Sequence, residues 1–293
     1  MTAARSKLAL GTAQFGQQYG VANISGQVSR DTAAAILELA GAEGMDTLDT
    51  AVAYGASEAC LGEVGIARWR VITKLPPLPG AVTNVTEWVE RQVRDSLQRL
   101  GLGRLEGLLL HDSGDLRGPH AATLLGALAS LKSRELIAAA GISIYDPQEL
   151  DALWPSWHPD IVQAPCNVLD RRLVHSGWLA KLARQGVRVH LRSVFLQGLL
   201  LMPCDARPAF FGRWQATLDH WLGWCAAQGE SPLQLALAFG CGLPGVERVV
   251  VGVESVGQLR ELLAAAARAA PAPPQELCCE DPGLIEPRRW ELQ

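Results

Sequence analysis

Basic charge is not in excess in this chain of 293 residues: 26 Lys and Arg stand against 30 Asp and Glu, a net charge of -4. That balance offers no cationic surface to a nucleic-acid backbone or an anionic membrane. The seven cysteines (Cys60, Cys166, Cys204, Cys225, Cys241, Cys278 and Cys279) are odd in number, include no CxxC, and have no histidine at metal-ligand spacing. They fit thiols in a reducing compartment, and no metal site is expected. Residues 1–20 lack the long apolar core of a signal peptide, and no segment reaches the length of a membrane span, so the cytoplasm is the expected address. Lysine is scarce, at Lys7, Lys74, Lys132 and Lys181 only. A lysine that closes an apolar run, as Lys74 does, is therefore less readily set aside as incidental surface charge.

What the chain does have is alternation. Short apolar runs at 8–13, 45–51, 69–74, 105–112, 137–145, 160–165, 187–194 and 246–252 are each followed by an amphipathic helical stretch, the last at 255–269. The apolar period switches from two to 3.6 at every step. Asp146 before Pro147 with Glu149, and Ser231 before Pro232, mark helix starts. Eight such units in this length imply parallel strands joined by right-handed crossovers and closed into a TIM (β/α)8 barrel, with an open doubly wound sheet as the main rival. No linker or composition shift interrupts 8–269. A single domain over 1–293 is expected, with a Pro-rich irregular tail over 270–293 lying against the barrel.

In such a barrel the chemistry lies at the C-terminal strand ends and the loops beyond them. Asp49 closes the second run, Tyr54 follows in its loop, Lys74 closes the third and His111 ends the fourth. Singly, each has an ordinary role: a turn cap, a half-buried aromatic, a solvated strand end, a structural imidazole. Together they suit proton delivery from a phenol whose ordinary pKa is about 10. An ammonium beside the phenol is expected to lower that pKa, and a carboxylate to hold the ammonium charged. His111 would donate to a carbonyl oxygen, and the set would serve reduction of an aldehyde or ketone.

These residues carry a resemblance to the aldo-keto reductases over roughly residues 8–268. LDTAVAYG is similar to that family's Asp-Thr-Ala-x-x-Tyr-Gly signature, VITK to its strand 3 lysine and LLLHD to its strand 4 histidine. The resemblance implies Asp49, Tyr54, Lys74 and His111 as catalytic residues. It also implies that Ser143 and Gln163 meet a nicotinamide carboxamide, and that Gly11 and Thr12 belong to the cofactor-binding first strand and loop. No Rossmann glycine pattern follows a strand, so binding would be of barrel type.

The phosphate end has its own signals, since barrels often bind phosphate with the loops after strands 7 and 8 and a helix N-terminus. Ser193, Phe195, Gln197 and Gly198 follow strand 7; Gly252, Glu254, Ser255, Gln258 and Glu261 follow strand 8, with Ser255 and Gln258 forming a capping box. Arg192 stands where the family commonly stacks an aromatic on the nicotinamide, and its planar guanidinium is expected to take that place. The family's cations for a 2′-phosphate are replaced by Gly252 and Gln258, and Glu254 adds an opposing charge nearby, which weakens the preference for NADP; Arg248 and Arg260 are candidate substitutes. The resemblance favours NADP(H), with NAD(H) as the alternative.

Substrate contacts are expected from Gln17, Gln18, Tyr19 and Trp214, with Trp290 a further candidate; such Gln-rich, aromatic loops suit a sugar-like carbonyl compound. Trp214, Trp221 and Trp224 also fit a core stripe on one helical side. Two other functions compete with carbonyl reduction: a cofactor-binding regulatory protein with little turnover, and a lyase using Lys74 as a Schiff base. Oligomeric state is not legible.

Overall fold

The structure, a computed structural model, describes residues 6–266, 268 and 270–292. Residues 1–5, 267, 269 and 293, which belong to the expected domain, last helix and tail, lie outside the described residues. Eight parallel strands form a closed barrel: β1 (Leu8–Gly11), β2 (Thr47–Asp49), β3 (Arg70–Leu75), β4 (Gly107–Leu110), β5 (Ala140–Ser143), β6 (Ile161–Pro165), β7 (Arg188–Arg192) and β8 (Val246–Gly252). Pairing of β8 back to β1, with Gly252 beside Gly11, excludes the open sheet. The strands are shorter than the apolar runs that announce them. The run 137–145, for example, is ladder only at Ala140–Ser143, because its flanks turn into connections.

Each strand is followed by helical structure that buries one stripe against the barrel. The helix Val85–Leu100 shows why. Asn84 caps it by accepting from Glu87 N at 3.2 Å, and Val85, Trp88, Val89, Val93 and Leu100 recur at helical spacing on the buried side. Ser231 caps Pro232–Gly242 through Gln234 N in the same way, and Asp146 N is bound by Glu149 as a capping box requires.

A second apolar cluster lies under the tail, where Trp221, Phe211 and Leu218 pack with Leu277, Leu284 and Ile285. Trp214 belongs to it, donating from Nε1 to Asp281 Oδ2 at 2.8 Å. The tail is also tied by Arg172, which bridges Asp170, Asp146 and Glu286 at 2.9, 2.9 and 3.0 Å. At the N-terminal end of the barrel a charged group links Arg70, Glu106, Arg188 and Glu247, with His190 Nε2 3.3 Å from Glu247 Oε2. Arg248 sits at this end too, bound to Thr47 Oγ1 and Asp46 Oδ1. Among the described residues no helix is long and apolar enough to cross a membrane.

Candidate active site

The loop carrying Tyr54 is built by small residues and hydroxyls. Thr12 donates to Asp49 O at 3.0 Å, and Ser57 Oγ lies within 2.8–3.1 Å of Thr12 O, Thr12 Oγ1 and Thr50 Oγ1. This buried knot holds the loop after β2 against the end of β1. Gly16 lets the two backbones touch: a Cβ there would collide with Tyr54 O and Ser57 N. The loop is also stitched to β3 by Thr50 N to Ile72 O and Val52 N to Lys74 O.

The adjacent strand ends then bring the charged groups together. Lys74 Nζ donates to Asp49 Oδ1 at 2.7 Å and to Thr50 O at 3.0 Å, and lies 3.5 Å from Tyr54 Oη. Lys74 is fully buried and Asp49 nearly so. His111, one residue past β4, stands edge-on to the Tyr54 ring with centroids 5.9 Å apart. All four expected residues meet here.

The electrostatics differ from the expectation in one respect. The Tyr54 phenol is raised, not lowered: burial pushes its pKa up and the Asp49 carboxylate adds to the rise, while Arg192 pulls the other way. Burial lowers the Lys74 pKa, opposed by Asp49. His111 is pushed down to about 4 by burial and by the charges of Lys74 and Arg192, so its ring is neutral at pH 7.

A cavity of about 390 Å³ opens from Tyr54, Asp49 and Gln163 along Arg192–Phe195, Gln197 and Gly198 to Glu254, Gln258 and Glu261. Gly252 lines it, as do Gln14 and Tyr19. Gln14 carried no signal in the sequence; its amide packs on Gly252, where a Cβ would stand 2.5 Å from Nε2. The loop after β7 is unusual. Ser193, Leu196 and Gln197 have φ of 58°, 49° and 54°, and Gly198 has 93°. Left-handed backbone at three non-glycine residues stores strain of a kind that gathers at ligand sites. Val21 N donates to Gln197 O at 3.1 Å, which ties the loop after β1 to it.

Several expected contacts are placed elsewhere. Thr12 is wholly buried in the hydroxyl knot and cannot face a ligand. Gly11, Ser143 and Ser255 are not on the cavity wall, although Ser255 does cap the helix Val256–Ala266 by accepting from Gln258 N. His111 is also off this wall. Trp214 is core rather than substrate platform, and Trp290 packs on Phe211 with centroids 4.8 Å apart. Gln17 is partly buried and Gln18 exposed, and of the substrate residues only Tyr19 lines the cavity. Arg192 lies over Tyr145, 4.4 Å from its centroid, and donates to Ile144 O at 3.0 Å. The tail residue Arg288 lies over the same ring at 4.1 Å.

Over residues 7–275 the sequence matches the Aldo/keto reductase family. The chain belongs to that family. Solved structures similar to this aldo-keto reductase chain include a protein described as an aldo-keto reductase from Pseudomonas aeruginosa, with 24% identity, 91% coverage of both chains and a TM-score of 0.67. The aldo-keto reductase AKR11C1 from Bacillus halodurans, holo form, has 20% identity, covers 98% of this chain and 96% of its own, and gives a TM-score of 0.76. At these identities the likeness is one of fold. No curated protein matches the chain in sequence.

Aldo-keto reductases generally use nicotinamide cofactors, and the residues present fit one. Gln163 lines the cavity, and its Oε1 is buried with no hydrogen-bond partner among the described residues, the acceptor that a carboxamide NH2 requires. At the other end, the left-handed loop after β7 and the N-terminus of Val256–Ala266 suit a pyrophosphate.

Proposed function

We propose that this chain, acting as one barrel domain, reduces an aldehyde or ketone to an alcohol with a nicotinamide dinucleotide. The observation that carries the proposal is Lys74 Nζ set 2.7 Å from Asp49 Oδ1 and 3.5 Å from Tyr54 Oη, beside a cavity of about 390 Å³ lined by residues from Tyr54 to Glu261. When bound, a reduced nicotinamide supplies the hydride.

The chain's own residues handle the proton. Tyr54 is protonated at neutral pH, as any phenol is, and burial and Asp49 raise its pKa further. It remains a competent donor to a nascent alkoxide, which is a stronger base than a phenolate. The neutral His111 ring offers an N–H to the same oxygen. Lys74 stabilises the phenolate left behind, and Asp49 keeps Lys74 charged and in place. Gln163 would accept from the carboxamide through its unpartnered oxygen. The Schiff-base alternative is disfavoured: Lys74 is fully buried and already donates to Asp49 and Thr50, so it is a poor nucleophile.

The test is turnover. Purified protein should oxidise NADH or NADPH in the presence of members of a panel of aldehydes, ketones and reducing sugars, over many turnovers. Tight dinucleotide binding with no multiple turnover on any member would instead support a cofactor-binding regulatory protein.

A further inference from the structure

The cavity has two ends of opposite character. At the Tyr54 end, Arg192 is held by Ile144 O, Ser193 Oγ and the Tyr145 ring. At the far end the wall is Val250–Glu254 with Gln258, Glu261 and Leu262. Among the described residues, Arg192 is the one cation lining the cavity, against three carboxylates: Asp49, Glu254 and Glu261. Asp49 is engaged by Lys74 and Gln163, which leaves Glu254 and Glu261 as the charges of the far end.

Both sequence candidates for a compensating cation are out of place. Arg248 is at the opposite end of the barrel on Thr47 and Asp46, and Arg260 is exposed on the outer side of its helix and absent from the wall. Arg268 pairs with Glu230 at 3.1 Å. Glu254, by contrast, is anchored: its backbone N donates to Gln258 Oε1 at 2.7 Å, in the loop that leads from β8 into the capped helix. Burial already raises its carboxyl. A dianionic phosphate beside it would add to a cost the site bears, whereas a ribose diol would give it two donors.

We propose that Glu254 and Glu261 make this an NAD(H) site that rejects NADP(H), by accepting from the adenosine ribose hydroxyls and repelling a 2′-phosphate. The inference rests on the reading of the cavity as a dinucleotide site. It departs from the NADP(H) expectation that the resemblance carries, because that preference needs cations this end of the cavity lacks.

The experiment is equilibrium titration of the full chain with NADH and with NADPH by nicotinamide fluorescence, at low and at high salt, for the native protein, Glu254→Gln and Glu254→Lys. NADH should bind about tenfold tighter at low salt, since a like-charge contact at a partly exposed site is worth roughly that much before salt screens it. Salt should narrow the gap by improving NADPH binding. Glu254→Gln should narrow it at all salts, and Glu254→Lys should close or reverse it. Equal or tighter binding of NADPH by the native protein, or a ratio unmoved in both variants, overturns the proposal. Competition by 5′-AMP against 2′,5′-ADP, which differ only in the 2′-phosphate, reads the adenosine end alone: the first should displace NADH and the second should not. If neither dinucleotide binds, the reading of the cavity itself fails, and the inference with it.

Discussion

Gln163 Nε2 donates to Asp49 Oδ2 at 2.6 Å, the oxygen that Lys74 leaves free. A carboxylate only accepts, so this bond fixes which way the amide points. Its oxygen is thereby left buried and, among the described residues, unpartnered, on a residue that lines the cavity. Gln163→Leu should weaken dinucleotide binding about five- to tenfold, the worth of one hydrogen bond to a ligand amide. Fluorescence titration measures this, and an unchanged Kd would remove Gln163 from the carboxamide site.

The Lys74–Asp49 pair is buried on both sides. Breaking it strands a nearly buried carboxylate that keeps Gln163 but no cation. Lys74→Met should cost about 3–5 kcal/mol in denaturant unfolding. Adding Asp49→Leu should recover part of that loss, since the uncompensated charge is then gone. A single variant as stable as the native chain would mean that the pair is not desolvated in solution.

The raised Tyr54 pKa sets the direction of the pH response. Reduction needs the phenol protonated, so its kcat/KM should stay level through neutral pH and fall only above about pH 10, the ordinary phenol value. Alcohol oxidation needs phenolate and should rise across the whole alkaline range. A reductive rate that falls between pH 7 and 8 would show that Lys74 wins over burial and Asp49.

His111 has a folded pKa near 4, below its ordinary value of about 6.5. Between those values the unfolded chain binds a proton that the folded chain does not. The stability contribution of the neutral ring is therefore full above pH 6.5 and is lost as pH falls to about 4. His111→Gln should flatten the pH dependence of unfolding free energy in that window, read as denaturant midpoints at pH 4.5 and 7. Parallel profiles for the two proteins would contradict it.

The barrel was legible because each strand and helix announces itself locally, through the switch of period and through caps such as Asn84 and Ser231. The meeting of Asp49, Tyr54, Lys74 and His111 was legible for a topological reason: consecutive parallel strands end side by side. What could not be read are contacts made across the fold. The Tyr145 ring carries Arg192 from β7 and Arg288 from the tail, two residues almost a hundred apart. Thr12 has a good side chain for a ligand, yet its partners are Asp49 and Ser57. Trp214 is aromatic and near a barrel mouth in sequence, but the tail covers it. The sign of the Tyr54 shift depended on burial, which no spacing reveals.

The central claim is that the Tyr54 hydroxyl, set beside Lys74, delivers the proton. Its most direct test is Tyr54→Phe, which removes one oxygen and leaves the ring beside His111. The account expects kcat for carbonyl reduction to fall about 10²–10⁴-fold, with dinucleotide Kd within about twofold of native because the change leaves one packed wall in place. A variant that binds the dinucleotide equally well and turns over at the native rate would contradict it.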